Sequence, residues 1–227
     1  MSESAHVRSR WAAYFFVAPF LLGFLLFTLY PLINSVLLSM HQTFGPSSSK
    51  FVGLSNYHYL MLDPLFWKAL ANTFIFAAGS VFIQLPISLA LALLLNQPNV
   101  RGRMIFRLIF FSPSLIGLVF LGTLAGMAFD KRTGLVDVAL HRFIGWNLDY
   151  PWLDNHVMAV LILACLWIYA GFNMVYFLAA LQHVSKDLLD ASTMDGAGPI
   201  HRFLHVTIPA IRPVGSFVVL LSLIGSF

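Results

Sequence analysis

Residues able to do chemistry are sparse in this chain of 227 residues, and they gather in two places. One is DASTMDGAGPIHRFLHVTIPAIRP, Asp190 to Pro213, where Asp190, Asp195 and Arg202 accompany His201, His205, a Gly-Pro step and two later prolines. The other is WIYAGFNMVYF, Trp167 to Phe177, which holds Trp167, Asn173 and Tyr176 in an otherwise apolar run. Isolated amides, Asn34 and Gln84, lie in further apolar runs. None of this is a pattern for catalysis. No nucleophile stands beside a base, no H-E-x-x-H offers two metal ligands, and no G-x-x-x-x-G-K-[ST] cradles a phosphate. His201 and His205 are one helical turn apart but bring no acid-base partner and no third ligand, so no catalytic residue, metal or cofactor is expected. The one cysteine, Cys165, excludes an intrachain disulfide and a cysteine zinc cluster.

The elements that must position these residues follow from composition. The chain is 59% hydrophobic and 10% charged, with a mean hydropathy of +0.83. Soluble domains carry about 25% charged residues, so lipid must cover much of this surface. The formal charge of +4 does not indicate nucleic acid, because the bases lie in small groups beside apolar runs. About 20 residues at about 1.5 Å rise cross a hydrocarbon core. That rule places spans near Phe15–Leu38, Asn72–Leu95, Leu108–Phe129 and His156–Leu181, with a fifth from about Pro213 to Phe227. The fifth stretch is short and lacks a flanking charge, which suggests a chain cut inside or just after that helix. The opening apolar run is too long for a cleavable signal and reads as an uncleaved first span. Pro86 and Pro113 can break helices and free backbone groups that line a path.

Orientation follows from arginine bias. With the amino terminus inside, Arg8, Arg10, Arg101, Arg103, Arg107, Lys186, Arg202 and Arg212 are internal, eight of the thirteen Lys and Arg. NQPNVRGRMIFR packs three arginines into one short connection, where the positive-inside rule has most force. The amino terminus and the Gln182–Arg212 segment are therefore expected in the cytoplasm. Outside, Asn56 is a possible N-cap before an amphipathic run with Tyr57, Tyr59, Phe66 and Trp67 at the interface, and GW and YPW mark turns in a second loop.

The Asp190–Pro213 stretch is more than a connector requires. Ser185 can cap a helix SKDLLDASTM, with Asp187 in its first turn. Asp195-Gly196 reads as a turn in which Gly196 takes positive φ, and Pro199 suits the first turn of a second helix. Pro209 and Pro213 then limit how the chain re-enters the membrane. Such a helix-turn-helix outside the bilayer looks built for docking.

Its spacing resembles the cytoplasmic EAA loop of permease subunits in binding-protein-dependent ABC importers. That pattern is EAA, three residues, Gly, nine residues, then Ile-x-Leu-Pro. Asp190-Ala191-Ser192 stands for EAA, Gly196 follows after three, and Val206-Thr207-Ile208-Pro209 completes it. Asp keeps the charge of Glu on a shorter arm, and Ser keeps the small size of Ala. YFFVAPFLLGFLLFTLYPLINSVLLS, FVGLSNYHYLMLDPLFWKALANT and WIYAGFNMVYFLAALQHVSKDLLDAS resemble carbohydrate-type importers of the oligosaccharide and glycerol-3-phosphate class, in particular the first of their two unlike permease subunits.

The resemblance implies an all-α, polytopic type I permease. Residues 1–227 would form one transmembrane domain, 182–212 its coupling loop, and a sixth span would lie beyond the five visible. It further implies a bacterial inner-membrane location, a dimeric ATP-binding partner, a second permease subunit, an extracytoplasmic solute-binding protein and a carbohydrate solute. The chain itself would hydrolyse nothing. Asp190, Ala191, Ser192, Asp195, Gly196 and Pro209 would couple to the ATPase. Trp167, Asn173, Tyr176 and Gln84 are candidates for the substrate path, since aromatics beside an amide suit a sugar's apolar face and hydroxyls; helix-helix hydrogen bonding is the plainer use of the same residues. Gly122 and Gly126 form a G-x-x-x-G, a common pattern in apolar sequence that serves general packing. A secondary transporter or channel is the alternative. Ion-coupled carriers place acids inside spans, and no Asp or Glu falls inside any span here.

Overall fold

A computed structural model describes residues 3–43, 45, 49–131, 133–145 and 150–226. By contact the chain divides into two units, residues 1–68 and 69–227. The first holds helix α1 (Glu3–Phe24), one π turn (Leu25–Leu29) and α2 (Tyr30–Ser39), read without interruption along the chain. A two-stranded antiparallel ribbon follows, β1 (His41–Thr43) and β2 (Ser49–Phe51), with His41 opposite Phe51. Helix α3 (Ser55–Leu62) comes next, and α4 (Pro64–Gly79) carries the chain into the second unit. The expected N-cap role of Asn56 is not what the structure shows. Asn56 lies inside α3, and its Nδ2 donates to the Ser39 carbonyl at 2.8 Å, one that α2 leaves open at its C-terminus, and to the His41 carbonyl of β1 at 3.1 Å.

In the second unit α4 passes through a π turn (Ser80–Gln84) into α5 (Leu85–Asn96). Then come α6 (Arg103–Phe111), a 3-10 turn (Ser112–Leu115), α7 (Leu118–Ala128), α8 (Leu135–Ile144), α9 (Trp152–Asn155) and the long α10 (Val157–Gln182). After α11 (Lys186–Met194) and α12 (Pro199–Arg202), a π turn (Phe203–Thr207) leads into α13 (Ile208–Ser226). Outside the spans, Trp152 donates its indole N–H to the buried carboxylate of Asp137, tying α9 to α8.

Each π turn stands two residues before a proline, Pro31, Pro86 and Pro209. Proline lacks the N–H of the helical ladder and its ring collides with the carbonyl four residues back. One wider turn removes that collision, and the bonds show it: Tyr30 N–H reaches Leu25 O and Ile208 N–H reaches Phe203 O, a spacing of five. The structure therefore corrects two expectations. Pro86 does not break its span, which runs from Pro64 to Asn96. The fifth apolar helix starts at Pro199 rather than near Pro213, and both Pro209 and Pro213 lie within it.

The third span is corrected in the opposite sense. Leu108–Phe129 was expected as one helix, but the segment is bent by 100° between Arg103–Leu115 and Leu118–Ala128. Pro113 sits in the 3-10 turn, and Ile116 and Gly117 are extended, so no wide turn rescues the ladder. The first, second and fourth spans, Tyr14–Ser39, Pro64–Asn96 and Val157–Gln182, fall within a few residues of their expected places except at Pro64, where the helix begins earlier.

The core of the second unit is the seam of α5 with α10, closed by α13. Leu85, Ala92 and Leu95 meet Met174, Phe177, Leu178 and Leu181, with Ile211 and Val218 completing the cluster. Ser88 is fully buried on the same face and returns its hydroxyl to Gln84 O at 2.8 Å, which satisfies a small polar residue in the seam. The outward faces are large and apolar, Phe74, Phe82, Leu94, Leu161 and Leu220 among them, as lipid contact requires.

Candidate functional site

Two regions of the second unit carry the polar chemistry. The first is a cavity of about 350 Å³ where the π turn, α7, α10 and the end of α13 converge. Its polar lining is Ser80, Gln84, Tyr169, Asn173, Ser222 and Ser226, with Phe76 and Phe172 as aromatic walls. Gln84 and Asn173 are 5% and 6% exposed, and neither side-chain amide bonds to another described residue. Their amide groups reach the open space of the cavity, which is what a site for hydroxyl-bearing solute needs.

The four path candidates are thus separated. Gln84 and Asn173 line the cavity together. Tyr176 lies just beside it, its ring edge-on to Phe172 at 5.2 Å and to Phe217 at 6.0 Å, so it props an aromatic wall. Trp167 does not belong: it is half exposed and absent from the lining. The reason is helical geometry. Cys165, Tyr169, Phe172 and Asn173 recur at steps of four, three and one, which is one face of α10. Trp167 lies on another. Tyr169, Phe172, Ser80 and Ser222 escaped the sequence reading, and that spacing was the available signal for the first two. Asn34 is exposed on α2. Gly122 and Gly126 have nothing within 4 Å of an added Cβ, so their motif packs against no described part of this chain.

The second region is α11, its turn and α12. Ser185 occupies the N-cap position with extended ψ of 129°, but its side chain makes no capping bond, contrary to expectation. The C-terminus is better determined. Gly196 has φ +77°, its N–H bonds to Thr193 O at 3.1 Å, and Ala197 N–H bonds to Ser192 O at 3.0 Å. That pair of bonds is a Schellman motif, which needs a left-handed residue where glycine sits. The Ser192 and Thr193 hydroxyls both donate to Leu189 O, and Arg202 Nη1 donates to Thr193 Oγ1 at 2.8 Å, tying α12 back to α11. His205 Nδ1 pairs with His201 O, and the two rings stack at 4.1 Å. No residue of α11 or α12 is buried. Asp190, Ala191, Asp195 and Pro209 are exposed and Ser192 is half-buried. Leu188, Met194 and Ile200 present apolar side chains at 56%, 88% and 76% exposure. Open apolar side chains thus stand among polar ones on this segment.

Comparison with known proteins gives the chain's relatives. The family model for binding-protein-dependent transport system inner membrane components matches residues 84–227. The chain is 38% identical over 221 residues to the arabinooligosaccharides transport system permease protein AraP of Bacillus subtilis (strain 168), covering 95% of this chain and 69% of that protein. It is 35% identical over 216 residues to the lactose transport system permease protein LacF of Rhizobium radiobacter, covering 93% and 71%. The crystal structure of a bacterial alginate ABC transporter, in complex with a periplasmic protein bound to alginate pentasaccharide, contains a chain that superposes with a TM-score of 0.81 over 98% of this chain and 74% of that one; at 23% identity it speaks for the fold. By the family match over residues 84–227 and the identity to these permeases, this chain belongs to the family of binding-protein-dependent transport system inner membrane components.

Proposed function

We propose that the chain is one permease subunit of an ABC importer for oligosaccharides or related carbohydrates. It forms half of the path with a second, unlike permease subunit. It receives solute from an extracytoplasmic binding protein, and residues 182–212 lie in the cytoplasm against a dimeric ATP-binding partner. The sugar class rests on the relatives, a permease for arabinooligosaccharides and one for lactose, together with the amide-and-aromatic cavity.

The observation that carries the mechanism is the unbroken helix from Pro199 to Ser226. Its first turn is α12, which runs on into the span because the π turn keeps the ladder closed across Pro209, and α11 is tied to α12 across the turn at 195–198 by the Arg202–Thr193 bond. Ser222 and Ser226 at its far end line the cavity. Closure of the ATPase on α11–α12 tilts α13 as a lever and moves the cavity wall. Asp190 offers a carboxylate to a base on the partner, Ala191 and Ser192 permit close approach, and Asp195-Gly196 holds the angle of the pair. Gln84 and Asn173 supply hydrogen bonds to solute hydroxyls, and Tyr169 and Phe172 an apolar face.

Affinity purification of the tagged chain from its membrane should bring down an ATPase and a second permease; a chain recovered alone would contradict the reading. The orientation is tested by single cysteines at Asp154 and Ser192 in a Cys165→Ala background, treated with an impermeant thiol reagent in whole cells. Asp154→Cys should label and Ser192→Cys should not, and the reverse pattern would invert the topology.

A further inference from the structure

Two arginines at the start and middle of α6, Arg103 and Arg107, are not used by the reading above. Arg103 and Arg107 stand one turn apart on α6, along a groove of about 920 Å³ shared with the last turns of α10. Gln182 adds a third polar side chain, and Leu108, Phe111 and Val175 form an apolar floor. Arg107 Nε is buried and has no hydrogen-bond partner, and neither arginine pairs with a described acid. A buried guanidinium N–H without an acceptor is costly, so the site is built for an anion that the chain does not provide.

The rest of α6 says which anion. Its sequence is RMIFRLIFF, with no charge but these two arginines. Met104, Ile105, Leu108 and Ile109 are 57–76% exposed. A short helix with a cationic stripe and open apolar side chains lies at the headgroup level of a bilayer. The groove continues from its arginines onto an apolar floor, a shape for a charged head carrying a hydrocarbon chain. A free phosphate would satisfy the arginines and leave Leu108, Phe111 and Val175 wet.

We propose that this groove binds an anionic phospholipid. Arg103 and Arg107 donate to the phosphate oxygens, Gln182 donates its amide to the headgroup, and one acyl chain lies over Leu108, Phe111 and Val175. Gln182 is three residues ahead of Ser185, so the lipid clamps α6 to the end of the helix that feeds α11. The inference needs only the fold, and it stands or falls apart from the identity of the transported solute.

The assembled transporter is loaded from vesicles of equal phosphatidylcholine and phosphatidylglycerol, purified in detergent, and its retained lipid counted by native mass spectrometry. The wild type should retain phosphatidylglycerol in preference. Arg103→Gln should lower that preference about fivefold, and Arg103→Gln with Arg107→Gln about 25-fold, from the attraction of one basic residue to an anionic surface. Arg101→Gln, outside the groove, should retain it. Undiminished retention by Arg103→Gln overturns the proposal, and because Arg103 is exposed this variant leaves packing intact. Equal loss in Arg101→Gln also overturns it, as diffuse surface charge. Displacement of the lipid by inorganic phosphate alone would give the site to a free anion. A photoreactive residue at Met104 that captures a protein subunit, and not lipid, would give the groove to a partner chain.

Discussion

The middle of α10 and the α11–α12 pair each turn on one glycine, held for opposite reasons. A Cβ on Gly171 would stand 1.7 Å from the Phe110 carbonyl oxygen, in backbone that cannot give way. A Cβ on Gly196 would meet nothing within 4 Å, but the residue has φ +77°. The first glycine exists because another helix is there, and the second because of its own dihedral. Around Gly171, ten residues of α10 are buried, whereas no residue of α11 or α12 is. One region is folded by packing and the other by local hydrogen bonds, so damage to them should be felt in different measurements.

Gly171→Val should have the largest effect. It must part α6 from α10, and overpacking of this kind costs about 3 kcal/mol at its upper range. The assembled complex should fall in membrane abundance and melting temperature, and normal values in both would show that the crossing of the two helices is not tight. Gly196→Val strains one residue by about 1–2 kcal/mol. It should insert and reach the membrane in normal amount, yet lose uptake or lose the response of ATP hydrolysis to solute in proteoliposomes. If it behaves like Gly171→Val, losing abundance first, the distinction between packed and local glycine collapses.

Smaller effects sharpen the same contrast. Asn173→Leu and Gln84→Leu should leave the melting temperature nearly unchanged, because neither amide bonds to another described residue, and even an interhelical hydrogen bond averages only about 0.6 kcal/mol in membranes. Their solute KM should rise in uptake assays, while Trp167→Leu should leave it alone. A fall in stability without a change in KM would return both amides to packing. Thr193→Val, which removes the acceptor of Arg202, should cost about 0.5 kcal/mol and show only as a modest loss of coupling ratio, ATP hydrolysed per solute imported.

Much of this was legible in the residues. Tyr14–Ser39 and Val157–Gln182 follow from charge-free length alone. The turn at Asp195-Gly196 follows because few residues other than glycine accept a left-handed dihedral after a helix, and its neighbours supply the required N–H groups. Pro113 and Pro86 were not distinguishable by type. Both are prolines in apolar runs, yet one sits at a 100° bend and the other is absorbed by a wide turn. The difference lies in neighbours: Ser80, Gln84, Leu85 and Ser88 are buried and held by the seam with α10, whereas Ile116 and Gly117 are not buried. Asn56 looked like a cap because its type caps helices; its real partners, Ser39 and His41, are far away in sequence.

By itself the sequence determined that this chain lies in lipid, roughly where it crosses, and how the exposed α11–α12 pair turns. Those are properties of composition, length and single dihedrals. Only the tertiary structure decided which face of each span looks inward. In a soluble protein, water marks the outer face with charge and the period of 3.6 reveals it. In a bilayer both faces are apolar, since lipid tails are as apolar as leucine, and the pattern goes silent. That Asn173 shares a cavity with Gln84 while Trp167 is absent from its lining, and that Gly171 admits a neighbouring carbonyl, could therefore be settled only by helices seated against one another.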